Sequence, residues 1–419
     1  MNLRKVTLLS LPIDPRGMDL DLPASPETPP PDTDRSVAVV GGGAVGATAA
    51  RDLARWGADV TLFERDAVGA GATGRAAGIV YDAFAEDLDA AVADRALDRF
   101  RELSGTAGFE LTDRPYVWFA RDGDDRNADA IREQVPRMRT NGRNVDLFAP
   151  DELADRWPTL RADDVAVAAV AESAGTTTPA TYAAAAAELA EADGATIETG
   201  TSAGIESDPV AVRIGDEGGD TDARQFDAVL VAAGARTPGL LADPGIEIAC
   251  EAYRVQALTV GVEAEDDEQR DRAAAFPSFY DATGGYYARP KAGELLAGDG
   301  TEPVPADPDD WDAESDAWFR EDVLEELSGR VDGVEPTASD AWAGLCTATP
   351  DRDPLVGQVD SGLFVATGFH GHGFMRAPAI GELVARQLCG ADGVAAFDPT
   401  RFDGREEFEI VEGMALDEH

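Results

Sequence analysis

The sequence has few lysines and a large deficit of positive charge. Its 419 residues include 35 Lys and Arg against 81 Asp and Glu, for a formal net charge of −46, and lysine occurs only at Lys5 and Lys291. Such a charge repels nucleic-acid phosphates and anionic membrane surfaces, so neither is an expected partner. The acidic residues alternate with apolar segments and indicate a solvated acidic shell. The bias toward Asp, Ala and Arg is typical of proteins from high-salt cytoplasms, where salt screens self-repulsion.

Cysteine and histidine are also scarce, with three of each. Cys250, Cys346 and Cys389 lie far apart and form neither a CxxC pair nor an even-numbered set. This spacing argues against a disulfide framework and fits a reduced cytoplasm, which is the location that we expect.

Long apolar runs are missing. No stretch of about 18 uncharged apolar residues occurs, so we expect a soluble chain without a membrane span. Residues 1–35 are rich in Pro and Asp and lack an A-x-A-like cleavage site. They predict a disordered leader and not a signal peptide.

A dinucleotide-binding fingerprint begins at Ser36. Gly41, Gly43 and Gly46 form GxGxxG between a predicted strand, Val37–Val40, and a predicted helix, Ala47–Trp56. The glycines allow a tight turn, a close approach of the backbone to a pyrophosphate, and packing of the helix on the strand. Glu64 ends the next strand, where a carboxylate accepts hydrogen bonds from a ribose diol and repels a 2′-phosphate. FAD and NAD remain as cofactors.

Later motifs favour FAD. They are the loop GATGRAAGI at 71–79, the strand VLVAAGA at 229–235, and the pair WAGLCTATPDRDPLVG and ATGFHGHGFMRAPAIGE near the C-terminus. From Ser36 to about Leu388 the chain resembles the FAD-dependent amine and amino-acid oxidoreductases, which include D-amino acid oxidase, glycine oxidase and sarcosine oxidase. Its GHGFM form is similar to the beta subunits of heteromeric sarcosine oxidases and dye-linked proline dehydrogenases.

The resemblance implies two domains. One is an α/β FAD-binding domain, Rossmann-like and doubly wound, and the other is an inserted α+β substrate domain with an antiparallel sheet over the flavin. Changes in residue pattern along the chain place the FAD-binding domain at 36–112, 150–250 and 336–419, and the substrate domain at 113–149 and 251–335.

The resemblance also implies non-covalent FAD and hydride transfer from the carbon beside an amine nitrogen to flavin N5, with no metal. The cysteine that tethers flavin in monomeric sarcosine oxidases matches Gly344, and Cys346 is expected to be a packed thiol. The residues expected to contact FAD are Gly41, Gly43, Ala44, Val45, Gly46, Glu64, Arg65, Ala72, Thr73, Arg75, Ala77, Gly78, Ile79, Ala203, Ala233, Gly234, Gly344, Gly368, His370, Gly371, His372, Gly373, Phe374 and Met375.

The usual cationic anchors for a substrate carboxylate are missing. Some relatives have an Arg where this chain has Cys346, and monomeric sarcosine oxidases have a Lys where it has Met375. A buried carboxylate needs a compensating charge, and the candidates are Arg376, Arg289, Arg254 and Lys291. Arg376 and Arg289 are favoured, the latter after Tyr287 on the predicted sheet. Without such a cation, the substrate is a neutral or cationic amine. His372 is a base or, as we favour, a hydrogen-bonding residue of the flavin loop.

We therefore expect an enzyme that oxidises the CH–NH bond of a small sarcosine-, proline- or D-amino-acid-like substrate. Oxygen or an electron carrier would reoxidise it, and partner subunits are compatible with the sequence. The alternative is a flavin-stabilised scaffold or assembly factor. A pyridine-nucleotide disulfide reductase is disfavoured because neither a CxxxxC pair nor a second GxGxxG follows the fingerprint.

Overall fold

The computed structural model describes residues 27–215, 222–263 and 275–411. Its helices are α1 Ala44–Trp56, α2 Ala72–Arg75, α3 Asp87–Leu103, α4 Asp125–Thr140, α5 Pro150–Arg156, α6 Pro179–Ala192, α7 Thr237–Ala242, α8 Ala317–Arg330 and α9 Gly373–Leu388. Short 3-10 turns occupy Gly234–Arg236, Ala395–Phe397 and Pro399–Arg401.

The strands are β1 Ser36–Val40, β2 Asp59–Glu64, β3 Ile79–Tyr81, β4 Leu111–Asp113, β5 Tyr116–Arg121, β6 Val145–Phe148, β7 Val165–Ala171, β8 Ala174–Thr177, β9 Thr196–Thr199, β10 Ala203–Ser207, β11 Val210–Ile214, β12 Asp222–Gln225, β13 Ala228–Val231, β14 Glu251–Val262, β15 Ser278–Asp281, β16 Tyr286–Lys291, β17 Glu294–Glu302, β18 Val334–Ala348, β19 Leu355–Asp360 and β20 Leu363–Thr367.

The nucleotide-binding layer is a six-stranded sheet in the order β19-β20-β13-β1-β2-β9. Its strands are parallel except for β19, which pairs antiparallel with β20. Strand β1 is apolar along nearly its whole length because both faces of a central parallel strand are buried. Helices α1, α3, α6 and α9 pack on one face, and the three-stranded sheet β10-β11-β12 packs on the other. The Rossmann-like prediction is confirmed.

A second, eight-stranded sheet has the order β18-β14-β17-β16-β15-β5-β7-β6 and is mainly antiparallel. Alternation along its strands gives it two different faces. One face packs on α8 through Phe279, Ala288 and Leu258. The other carries Tyr116, Trp118 and Tyr280, which pack on α4, and continues through Tyr287 and Arg289 toward the nucleotide-binding layer. The predicted antiparallel substrate domain is confirmed.

The domain boundaries differ from the predicted ones at two places. Helix α5 and strand β7 fall in the predicted nucleotide-binding piece 150–250, yet β7 pairs with β5 and β6 in the eight-stranded sheet. Strand β18 also begins before the predicted boundary at 336 and remains in that sheet to Ala348, because it pairs with β14 along its length. Strand pairing assigns these segments to the eight-stranded sheet, and such pairing cannot be recognised from the local residue pattern.

Residues 1–26 of the predicted leader, 1–35, lie outside the described residues. The described remainder contacts the nucleotide-binding layer. The Thr28 carbonyl accepts from Arg386 at 3.0 Å, and the Asp32 amide donates to the Cys389 carbonyl at 3.1 Å. Residues 27–35 therefore do not belong to a disordered segment.

Candidate functional site

The turn after β1 is built so that only glycine fits at two of its positions. Gly41 has φ of 113°, and a Cβ there would lie 2.4 Å from the Ala232 carbonyl oxygen. A Cβ on Gly46 would lie 2.0 Å from the Gly41 carbonyl oxygen. These glycines let β1, β13 and α1 approach closely, as the sequence predicts for this turn.

Gly43 has a different role. It is the N-cap of α1 with φ of −70° and ψ of 177°, and as a glycine it supplies no side-chain cap of its own. The N–H groups of the first turn therefore face an open space, the cradle. A Cβ added to Gly43 would meet one atom within 4 Å, Thr73 Oγ1 at 3.2 Å. The Thr73 hydroxyl accepts from the Ala44 amide at 3.0 Å. These donors and the helix dipole suit a pyrophosphate.

Glu64 lies beside this turn at the end of β2. Its two carboxylate oxygens accept from the Gly42 amide at 2.7 Å and from the Asp66 amide at 2.8 Å. Each oxygen keeps a further lone pair that could accept from a ribose hydroxyl. Arg65 is exposed and pairs with Asp66 at 3.1 Å. The cradle and the carboxylate together fit the pyrophosphate and ribose of FAD.

The predicted flavin loop continues from α2 to β3 and lies between the two sheets. Gly78 has φ of 70°, and a Cβ there would lie 2.3 Å from the Thr177 carbonyl oxygen. Its own carbonyl accepts from the Thr177 amide at 2.9 Å, and Ile79 pairs with Thr176. The loop is held against β8, with the Ala77 carbonyl accepting from Arg289.

Two further predicted contacts lie beside the glycine turn. Ala233 and Gly234 follow β13, and a Cβ on Gly41 would lie 3.1 Å from Ala233 Cα. Ala203 begins β10 and packs against the cluster that contains Val40 and Phe63. Ala233 is thereby brought to the turn, while the contact of Ala203 with a cofactor stays a prediction.

The C-terminal glycine loop joins β20 to α9. Helix α9 begins at Gly373, with His372 at the N-cap position. Phe374 and Met375 are buried in its first turn. A Cβ on Gly368 would lie 2.4 Å from Thr349 Cγ2, while a Cβ on Gly371 would face open space.

Both histidines of this loop are neutral at physiological pH. Burial lowers the pKa of His370 to about 4 and, with the positive charge of Arg376, lowers the pKa of His372 to about 3. The His370 Nε2 accepts from the Thr349 amide at 2.7 Å, which ties the loop to the end of β18. The His372 ring lies 5.8 Å from the Phe84 ring.

Gly344 and Cys346 share the face of β18 that is directed toward the loop. A Cβ on Gly344 would meet Arg75, 3.5 Å from its Cβ and Cδ, and the Arg75 carbonyl accepts from Trp342 Nε1 at 3.2 Å. Burial raises the pKa of the Cys346 thiol to about 12. It is therefore a protonated, packed thiol near the loop, as the sequence analysis expects.

The four candidate cations have different surroundings. Arg376 is buried and pairs with Asp89 at 3.0 Å. Arg254 pairs with Asp316 at 2.7 Å and with Glu302. Lys291 Nζ lies 5.1 Å from the centroid of the Trp342 ring.

Arg289 is 5% exposed. Its guanidinium donates to the Thr177 carbonyl at 3.1 Å, the Pro290 carbonyl at 3.0 Å and the Ala77 carbonyl. Within the described residues, no carboxylate lies within ion-pair distance of it.

Tyr287 shares the face of Arg289, and its ring covers Gly298, since a Cβ there would lie 2.4 Å from the Tyr287 hydroxyl. Sequence reasoning missed Asp89, Thr177, Phe84 and Trp342. Only Trp342 lies within a quoted motif; the others come from elements whose proximity to the loop depends on tertiary structure.

Comparisons with known proteins identify the family of this chain. Residues 36–387 match the family described as FAD dependent oxidoreductase. The chain belongs to that family. It is 29% identical to 4-methylaminobutanoate oxidase (formaldehyde-forming) of Paenarthrobacter nicotinovorans over 93% of the chain and 49% of that protein, so it spans about half the length of that relative. It is 28% identical to glycine oxidase of Geobacillus kaustophilus over 83% of the chain and 91% of that protein.

The fold of this FAD dependent oxidoreductase is also that of a solved relative. L-proline dehydrogenase from P. horikoshii superposes with a TM-score of 0.77 at 24% identity, covering 89% of the chain and 98% of that structure. The family match confirms the predicted family, FAD as the cofactor, and an oxidoreductase. In residues 27–215, 222–263 and 275–411, no helix is long and apolar enough to span a bilayer, and no group of three or more His, Cys, Asp and Glu side chains could hold a metal ion.

Proposed function

We propose that this enzyme oxidises the CH–NH bond of a small amino acid of the sarcosine, proline or D-amino-acid type, and that Arg289 binds the substrate carboxylate. FAD, when bound, supplies the hydride acceptor at its N5 position. The chain's own residues orient the substrate and exclude water. The observation that carries the proposal is the deeply buried guanidinium of Arg289, which has no carboxylate partner among the described residues.

The hydrogen bonds of Arg289 leave room for an anion. A guanidinium has five N–H groups, and Arg289 uses one at Nε, one at Nη1 and one at Nη2 for carbonyl oxygens. One N–H on each terminal nitrogen is left to donate. Two such donors match the two oxygens of a carboxylate in a bidentate contact.

The other candidate cations are already compensated or less buried. Arg376, which the sequence favours equally, is neutralised by Asp89, and its guanidinium stacks on Phe84 with Cζ 5.1 Å from the ring centroid. Arg254 is neutralised by Asp316 and Glu302. Lys291 is half-buried over Trp342. Carboxylate binding is therefore best assigned to Arg289.

A histidine base is not required by this proposal. Burial first, and then the charge of Arg376, hold the pKa of His372 at about 3, so the neutral ring is a poor proton acceptor near neutral pH. His372 instead occupies the N-cap position of α9, without a side-chain capping bond, and its ring packs on Phe84. An amine substrate would bind as the neutral base, and hydride would leave its carbon directly.

The test is anaerobic bleaching of the FAD absorbance by a panel of amines and amino acids in high salt. Sarcosine, proline or a small D-amino acid should bleach the wild type. Arg289→Lys and Arg289→Gln should raise KM by at least about thirtyfold, since truncating one partner of a buried charge pair costs about 2–5 kcal/mol. Arg132→Ala, which removes an exposed partner of Asp129, is the matched control. Unchanged KM in both Arg289 variants would refute the carboxylate assignment.

The oxidant and the location also belong to this proposal. We assign reoxidation to oxygen or to an electron carrier, and the same bleached enzyme separates them. Admission of air recovers the absorbance of an oxidase, whereas a dehydrogenase recovers it only with an added dye. The acidic surface and the free thiols of Cys250, Cys346 and Cys389 favour a reducing, high-salt cytoplasm.

A further inference from the structure

A serine hydroxyl is buried without a partner in the substrate domain. Ser278 is the first residue of β15 and is 1% exposed. Among residues 27–215, 222–263 and 275–411, its Oγ has no hydrogen-bond partner. An unpaired buried hydroxyl destabilises the fold, because it has lost its hydrogen bonds to water and gained none. A ligand that accepts a hydrogen bond from Ser278 would remove this cost.

Strand pairing places Ser278 next to Arg289. In the antiparallel pair of β15 and β16, Phe279 lies opposite Ala288, and Tyr280 lies opposite Tyr287. Continuing this register by one residue puts Ser278 opposite Arg289. Directly opposed residues have Cβ atoms about 5 Å apart.

Both side chains point to the same face of the sheet. Phe279 and Ala288, the neighbours of Ser278 and Arg289 along their strands, pack on the α8 side. Alternation therefore directs Ser278 and Arg289 to the opposite face. This face contacts the predicted flavin loop, because Arg289 binds the Ala77 carbonyl.

The guanidinium of Arg289 gives this pair a positive charge. Burial is the main reason that the pKa of Arg289 is lowered to about 10, a value that includes an opposing effect of Tyr287 and a smaller lowering effect of Arg114. Arginine still carries its proton at neutral pH with such a pKa. A positive group beside an unpaired hydroxyl favours an anionic acceptor over a neutral one.

We propose that Ser278 is a specificity-determining residue, whose hydroxyl donates to the substrate carboxylate beside the two remaining N–H groups of Arg289. This inference rests on the proposed function and adds a residue to it. Three donors from two neighbouring strands hold the carboxylate in one orientation. They select amino acids over amines of similar size that lack the carboxylate.

The experiment measures binding without turnover. FAD-loaded full-length protein, in constant high salt, is titrated with acetate and with pyrrole-2-carboxylate, and the change in flavin absorbance gives Kd. Pyrrole is the uncharged comparison ligand. Ser278→Ala should weaken binding of both carboxylates by about tenfold or more and leave the Kd for pyrrole unchanged, since a hydrogen bond to a charged group contributes about 1.5–3 kcal/mol.

Thr259→Val is the matched control. Thr259 is a buried hydroxyl residue of the same sheet, but its hydroxyl already pairs with Ser339 at 2.9 Å. This variant should bind the carboxylates as the wild type does. Equal carboxylate affinity in wild type and Ser278→Ala, or an equal loss for pyrrole, would overturn the assignment of Ser278.

A second variant keeps the test decisive if Ser278→Ala folds poorly. Ser278→Cys keeps the size of the side chain with a weaker donor, and it should bind carboxylates with a Kd between those of wild type and a Ser278→Gly variant. Equal Kd values for all three overturn the inference. A different result would refute the proposed function itself, namely that no amino acid bleaches the FAD of the wild type.

Discussion

Gly43 gives the most direct test of the cofactor cradle. Its backbone, with φ of −70° and ψ of 177°, is accessible to any residue. A Cβ would meet only the Thr73 hydroxyl at 3.2 Å. Gly43→Ala and Gly43→Val should therefore fold, with a stability near that of the wild type, while their side chains occupy the space above the first N–H groups of α1.

The expected loss falls on FAD binding. Inserting a methyl into a well-packed contact costs about 1–3 kcal/mol, which corresponds to a Kd about 5 to 150 times weaker. The loss of FAD affinity should be larger for Gly43→Val than for Gly43→Ala. The assay is titration of the apoprotein with FAD, followed by quenching of tryptophan fluorescence, with thermal unfolding of the apoprotein as the measure of folding.

Gly329→Ala is the control for this series. Gly329 lies within α8, and a Cβ there would meet nothing within 4 Å, so this variant should bind FAD normally. Gly41→Ala should behave differently from both, because its Cβ would strike the Ala232 carbonyl and destabilise the fold itself. Unchanged FAD affinity in Gly43→Val would refute the assignment of the cradle.

Three further predictions concern the whole protein. FAD should bind near one per chain and be released by acid precipitation, because Gly344 stands at the tethering position; flavin retained in the precipitate would contradict this. With a formal charge of −46, folding should require high salt, since the screening length falls to about 3 Å at 1 M; full stability in dilute buffer would argue against an adapted acidic surface. Burial holds the pKa of His370 at about 4, below its unfolded value of about 6.5, so stability should fall as the pH falls from about 6.5 toward 4. Between pH 7.5 and 5 the free energy of unfolding of the apoprotein should drop by about 2 kcal/mol more in wild type than in His370→Asn; equal drops would contradict the burial argument.

The features that the sequence predicts well are local ones. The turn at Gly41 and Gly46 follows from backbone conformation and from the absence of a Cβ. Helix α6, Pro179–Ala192, also follows from local signals, because its alanine-rich composition favours a helix and Gly194 lies just beyond its end. Glu64 could be placed at the turn because a βαβ unit has a nearly constant length.

The partners of the charged side chains could not be predicted from the sequence. Arg376 and Arg289 are equal candidates for a carboxylate anchor when only their positions are known. The structure separates them, since α3 brings Asp89 to Arg376, while the Arg289 guanidinium donates to three carbonyl groups and has no carboxylate partner among the described residues. Whether a buried cation is neutralised depends on which distant element packs beside it.

Sheet membership was decided in the same way. The apolar run of β7 is compatible with either sheet, and pairing with β5 assigns it to the eight-stranded one. The position of Ser278 opposite Arg289 depends on the register of β15 and β16. Local sequence thus determines turns, helices and the cofactor fingerprint, because backbone conformation and side-chain period act over a few residues. Tertiary structure determines the ion pairs of Arg376 and Arg254 and the donors of the proposed substrate site, because those depend on contacts between segments far apart in the chain.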